Sequence, residues 1–118
     1  MLYGARMPGR VAVFLSHADE GSLRLAGSCA LAAVAMGERV DVFVFGPAVP
    51  ALLAGDEAEG PAALLHQARG AGCRLLACSA SVVEERVDLA AAEAGFDAVV
   101  GWPTVVEWSR GVVDRFFF

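Results

Sequence analysis

Apolar residues fall along the chain in two alternating textures. Short continuous runs at residues 10–15 (RVAVFL), 40–45 (VDVFVF), 73–77 (CRLLA), 96–100 (FDAVV) and 112–118 (VVDRFFF) are rich in Val, Leu and Phe. That is the signature of strands buried on both faces of a parallel sheet. Between them lie stretches with helical period. Residues 22–36 carry Leu23, Ala26, Ala30, Ala33 and Val34 on one stripe, with Asp19 or Ser22 to cap the start and Gly37 to end it. Pro61 suits the first turn of a second helix over residues 61–69, closed by Gly70 or Gly72. Ser81-Val82-Val83-Glu84 and Thr104-Val105-Val106-Glu107 both have capping-box spacing and predict helix starts. A further helical piece covers residues 89–94 and stops at Gly95, whereas residues 48–60 read as an irregular acidic loop with room for one helical turn.

Strands alternating with helices predict βαβ units, whose crossovers are right-handed in nearly all folds and make the strands parallel. The reading is a three-layer α/β sandwich over residues 1–118, one domain, with a five-stranded, mainly parallel sheet in the flavodoxin-like order 2-1-3-4-5.

Composition narrows the partners. The apolar fraction is 57% and mean hydropathy is +0.56, above the usual apolar content of roughly 45–50%. Self-association is the simplest cover for that excess, and the triple-Phe end of the chain fits a homo-oligomer. No apolar run approaches the ~20 residues of a membrane span. Residues 1–10 lack the pattern of a secretory signal, and three cysteines, an odd number, suit a reducing compartment, so the expected location is the cytoplasm. Nine arginines against fourteen acids leave a net charge of −5 with no basic cluster, which excludes the electrostatic footprint of a nucleic-acid binder. Lysine is absent, and with it Schiff-base chemistry and the Walker phosphate loop.

The candidate chemistry is sulfur. Cys29 sits mid-helix among alanines and Cys73 opens a strand, so both read as small buried hydrophobes. Along a strand Cys73 and Cys78 would stand about 16 Å apart, too far for a disulfide, and their spacing matches no zinc motif. Cys78 differs because it follows the third strand just before a helix, at the edge where α/β sheets bind ligands. Backbone N–H groups at a helix start favour a thiolate, which makes Cys78 the candidate nucleophile; the alternative is an inert cysteine in a tight turn.

His17 follows the first strand as Cys78 follows the third. In the order 2-1-3-4-5 those strands are neighbours, and His17 would then face Cys78 and shuttle its proton; otherwise it is an exposed loop histidine. Ser79 and Ser81 could donate hydrogen bonds to whatever Cys78 carries, although Ser81 is better explained as a cap, and Trp102 could wall the same edge. His66 reads as a surface residue. Asp19 and Glu20 read as helix-start acids. No GxGxxG follows a strand, so a dinucleotide cofactor is not expected, and neither is any other cofactor or metal.

The segment Gly70-Ala71-Gly72-Cys73-Arg74-Leu75-Leu76-Ala77-Cys78-Ser79 resembles the DsrE/DsrF-like sulfur-relay family, in which one cysteine is presented just after the third strand. The passage Gly37-Glu38-Arg39-Val40 and the end of the chain from Gly101 to Phe118 are similar to the same family. The resemblance implies a five-stranded parallel fold, trimers or hexamers, and a persulfide on Cys78 taken from a sulfur-donor protein and passed to an acceptor. The second reading is a non-catalytic ligand-binding or assembly subunit whose crevice holds a small anion.

Overall fold

In the computed structural model, which describes residues 10–55 and 57–118, the apolar runs become five strands. They are β1 (Val11–Leu15), β2 (Val40–Val44), β3 (Arg74–Cys78), β4 (Ala98–Val100) and β5 (Asp114–Phe117). Between them run α1 (Glu20–Ala35), α2 (Ala48–Ala54), α3 (Ala63–Gly70), α4 (Ser79–Glu84), α5 (Leu89–Gly95) and α6 (Trp102–Trp108). The opening stretch read above for a secretory signal lies, apart from Arg10, outside the described residues. Among those residues no helix is long and apolar enough to cross a membrane.

All four strand pairings are parallel, as the apolar runs predict. Their order is β4-β3-β2-β1-β5, which corrects the expected flavodoxin-like order. The chain steps outward from β1 through β2 and β3 to β4, then returns to place β5 on the far side of β1. Runs of apolar residues specify strands but not their neighbours, which depend on contacts distant in sequence. One consequence is that β2 lies between β1 and β3.

Right-handed crossovers that all step the same way leave their helices on one face. Thus Leu23 and Ala26 of α1, Leu52 of α2, Leu65 of α3, Val82 of α4 and Ala92 of α5 share a core with Val11, Val13, Val42, Val44, Leu75 and Ala77. The return from β4 to β5 runs the other way and puts α6 on the opposite face, where Val105 packs with Ala12, Phe43, Leu76 and Val100.

Local chemistry explains the helix ends. Asp19 caps α1 by accepting the Ser22 N–H at 3.0 Å, and this bond holds its carboxyl below the usual carboxylate range. The loop expected at residues 48–60 contains α2, which has no side-chain cap and carries Pro50 in its first turn, where a missing N–H is harmless. The β3–α4 turn is shorter than the capping box predicts: α4 starts at Ser79, with Cys78 itself as the cap residue.

On the α6 face one charge pair is built into the sheet. Asp41, 2% exposed, stands beside Arg74 in the neighbouring strand and accepts a hydrogen bond from Nη2 at 2.7 Å. The Arg74 guanidinium in turn lies 4.5 Å from the centre of the Trp108 ring. This cation–π contact fastens the end of α6 to the sheet.

Helices α1 and α3 cross closely because Gly27 has no side chain. A Cβ there would sit 2.7 Å from Leu64 Cβ and 2.9 Å from the Leu65 backbone nitrogen. A mid-helix Gly→Ala change ordinarily gains up to about 1 kcal/mol. Here Gly27→Ala is expected to lose about 1–3 kcal/mol in urea denaturation, because the helices must part. An unchanged or raised midpoint would show that they can separate freely.

Candidate functional site

The carboxyl ends of the strands form the rim on which the candidate residues meet. Cys78 ends β3 in extended backbone and pairs in register with Val100 of β4. It follows Arg74 and Leu76 on the α6 face of the sheet, since alternate residues of a strand share a face. Its side chain is buried, with the residue 3% exposed.

Ser79, half-buried, opens α4 directly after it and lies against the β4–α6 corner, where a Cβ on Gly101 would stand 3.6 Å from its Oγ. Ser81 is neither a cap nor exposed. Its Oγ accepts the N–H of Gly46 at 2.8 Å and so ties the β2–α2 turn to the first turn of α4. Gly46 has φ +55°, left-handed backbone that favours glycine.

Trp102 starts α6 and stacks on Phe45 with ring centroids 5.0 Å apart and planes 19° from parallel. It therefore walls this rim. His17 is exposed at the end of β1, with Nδ1 3.4 Å from Ser16 Oγ. With β2 in between, strands β1 and β3 are about 10 Å apart, so the adjacency that would have paired His17 with Cys78 is absent. His17 lines a different hollow of about 370 Å³ together with Phe14, Phe45, Trp102 and Phe117. The stacked rings of Phe45 and Trp102 form part of the lining of that hollow.

The aromatic rings were missed as a group. Phe14 lies 4.9 Å from Phe117, 5.4 Å from Phe43 and 6.4 Å from Phe45, all near parallel. The available signal was their placement at alternate positions of successive strands, which puts them on one face. His66, read as a surface residue, is instead tucked under the loop before α3. Its side chain is 12% exposed, Nδ1 lies 3.5 Å from Glu57 Oε1, and Nε2 is buried with no hydrogen-bond partner among the described residues.

The other two thiols are shifted toward their protonated form. Burial, reinforced by the negative charges of Asp41 and Asp97, pushes Cys73 up to about 12, and burial also raises Cys29. Among the described residues no group of three or more His, Cys, Asp or Glu could hold a metal ion.

A family model described as the DsrE/DsrF-like family matches residues 9–108. Among solved structures the chain is similar to the crystal structure of ychN protein from E. coli. The two share 15% sequence identity over 92% of this chain and 97% of that one, with a TM-score of 0.69. Identity at this level shows a common fold alone. No curated protein matches the sequence.

Two measurements check this geometry. Ser81→Ala leaves the Gly46 N–H without its acceptor and is expected to cost about 1–2 kcal/mol of stability; a neutral effect would mean the turn finds another partner. Cys73 should stay unalkylated in the native protein near pH 8 while the denatured chain labels fully. Because its native pKa is raised, its contribution to stability is intact below the unfolded value of about 8.5 and declines as pH climbs toward 12. A Cys73→Ala variant should lose that part of the alkaline decline.

Proposed function

Because this chain belongs to the DsrE/DsrF-like family, we propose that it is a sulfur-handling protein in which Cys78 carries sulfane sulfur as a persulfide. The Cys78 thiolate attacks the outer sulfur of a donor persulfide; the new S–S bond forms as the donor's own breaks, and the donor leaves as a thiolate. A second thiolate then repeats the exchange on Cys78 and carries the sulfur away. No external oxidant is needed, and the rate follows the thiolate fraction and nucleophilicity of each attacking group.

The observation that carries this reading is the place of Cys78 among the three thiols. It ends β3 at the carboxyl rim of the sheet, in register with Val100 of β4, whereas Cys29 lies within α1 and Cys73 precedes β3. Ser79 borders the same corner. His17 falls outside this group and is not given a role in the exchange.

Incubation with inorganic polysulfide followed by intact-mass and peptide analysis tests the assignment. The expected result is a gain of one sulfur atom on Cys78, abolished in Cys78→Ser and retained in Cys29→Ser. Sulfur found on Cys29 alone, or on no cysteine, would overturn it.

A second reading is favoured by the aromatic surface. Phe117 is 71% exposed and Trp102 56% exposed, and the hollow between them is walled by rings, with His17 its one ionisable side chain. Such a wall suits a subunit contact better than a small anion, and we propose that copies of the chain associate through it, as trimers or hexamers. Light scattering at micromolar concentration should show an oligomer that Phe117→Asp weakens; a wild-type monomer would remove the idea.

A further inference from the structure

The register of the strands sets an aromatic pair across the proposed sulfur site. Val44 of β2 stands beside Ala77 of β3, so the next residues, Phe45 and Cys78, are neighbours on the α6 face. On the other side Cys78 is beside Val100 of β4. Strands β2 and β4 are separated by β3 and lie about 10 Å apart. Nevertheless, Trp102, two residues beyond Val100, brings its ring to 5.0 Å from that of Phe45. The stack therefore joins β2 to the start of α6 across the end of β3, where Cys78 is 3% exposed.

We propose that the Phe45–Trp102 stack is a lid over Cys78 and that the thiol is reached when the Trp102 indole swings off Phe45. The inference rests on Cys78 being the working thiol. Trp102 is suited to move. It is the first residue of a short helix, is 56% exposed, and its indole makes no hydrogen bond among the described residues. Phe45 is the fixed half, half-buried against Phe14 and held at the end of a strand pair by its N–H bond to the Leu15 carbonyl at 2.9 Å. The hollow lined by Phe14, His17 and Phe117 opens on the outer side of the same two rings. Neither Trp102 nor Phe45 takes part in the exchange; together they decide how often, and to molecules of what size, the thiol is presented.

The test is native-state alkylation of the full chain with iodoacetamide and with a bulkier maleimide, reading Cys78 and Cys73 separately by peptide mass. Trp102→Ala should speed Cys78 labelling by roughly two- to tenfold, the factor corresponding to loss of one aromatic pair. The gain should be larger for the maleimide. Trp102→Phe, which keeps a ring, should give a smaller increase. Cys73, on the opposite face of the sheet, should remain slow in both variants.

An unchanged Cys78 rate in Trp102→Ala would overturn the lid, as would a parallel rise at Cys73, which reports general loosening. The two proposals fail separately. If Trp102→Ala exposes Cys78 to alkylation but polysulfide loads no sulfur on it, the lid stands and the persulfide reading falls. If wild-type Cys78 takes up sulfur while Trp102→Ala leaves its labelling unchanged, the lid falls alone.

Discussion

A parallel sheet has two faces to cover, and among the described residues its second face receives a single seven-residue helix, α6. The allocation follows from topology: four strands laid down in one direction send every crossover to the same side, and one reversal puts α6 on the other. Aromatic rings take over where helices are lacking. Phe14, Phe43, Phe45 and Phe117 tile the face between β5 and β2, each ring covering more area than an aliphatic side chain. Helix α6 is held at both ends by rings of its own. Trp108 receives the Arg74 guanidinium and Trp102 lies on Phe45.

The two anchors differ in strength. Arg74 is paired with a carboxylate that is itself almost wholly buried, and removing one partner of such a pair typically costs about 3–5 kcal/mol because the other is left uncompensated. The Phe45–Trp102 stack is half open to solvent, and a ring pair contributes about 0.5–1.5 kcal/mol beyond its buried area. The sheet end of α6 that carries Trp108 is therefore the fixed end, and the end next to Cys78 is the loose one.

Much of this was legible in the residues. Five apolar runs announced five strands, and Asp19 and Gly37 marked the ends of α1, because strand burial and capping are local; Pro61, expected in the first turn of a helix, lies just before α3, whose cap residue is Ala62. The position of Cys78 at a strand end was legible for the same reason, and so was the family. The sheet order was not, since the placement of β5 beside β1 depends on pairing between the two ends of the chain. The same limit hid the separation of His17 from Cys78. Ser81 misled because Ser-x-x-Glu has the spacing of a capping box, while its hydroxyl is used on Gly46, 35 positions away in sequence. His66 misled because Glu57 comes to it across a loop rather than along a helix. The burial of Cys78 and the meeting of Phe45 with Trp102 were illegible too, since both depend on packing between elements that no local pattern announces.

Sulfur exchange makes opposing demands on a thiol: it must meet its donor and acceptor, yet a thiol or persulfide open to solvent is consumed by oxidants and stray thiols. Under the proposed function, burial of Cys78 would answer the second demand, and the question is which motion would answer the first. Freeing the end of β3 would break its ladder with β2 and β4 and disturb Asp41 and Arg74, a loss of several kcal/mol that approaches the scale of unfolding. Unstacking one exposed indole forfeits about 0.5–1.5 kcal/mol of ring contact, which leaves an open form populated at the level of several to tens of per cent if little else changes. The lower of these two costs is local and falls at the rim where Cys78 ends β3. Access by side-chain motion is therefore compatible with a sheet that stays intact, and the thin cover of this face becomes the means by which a buried thiol can take part in exchange.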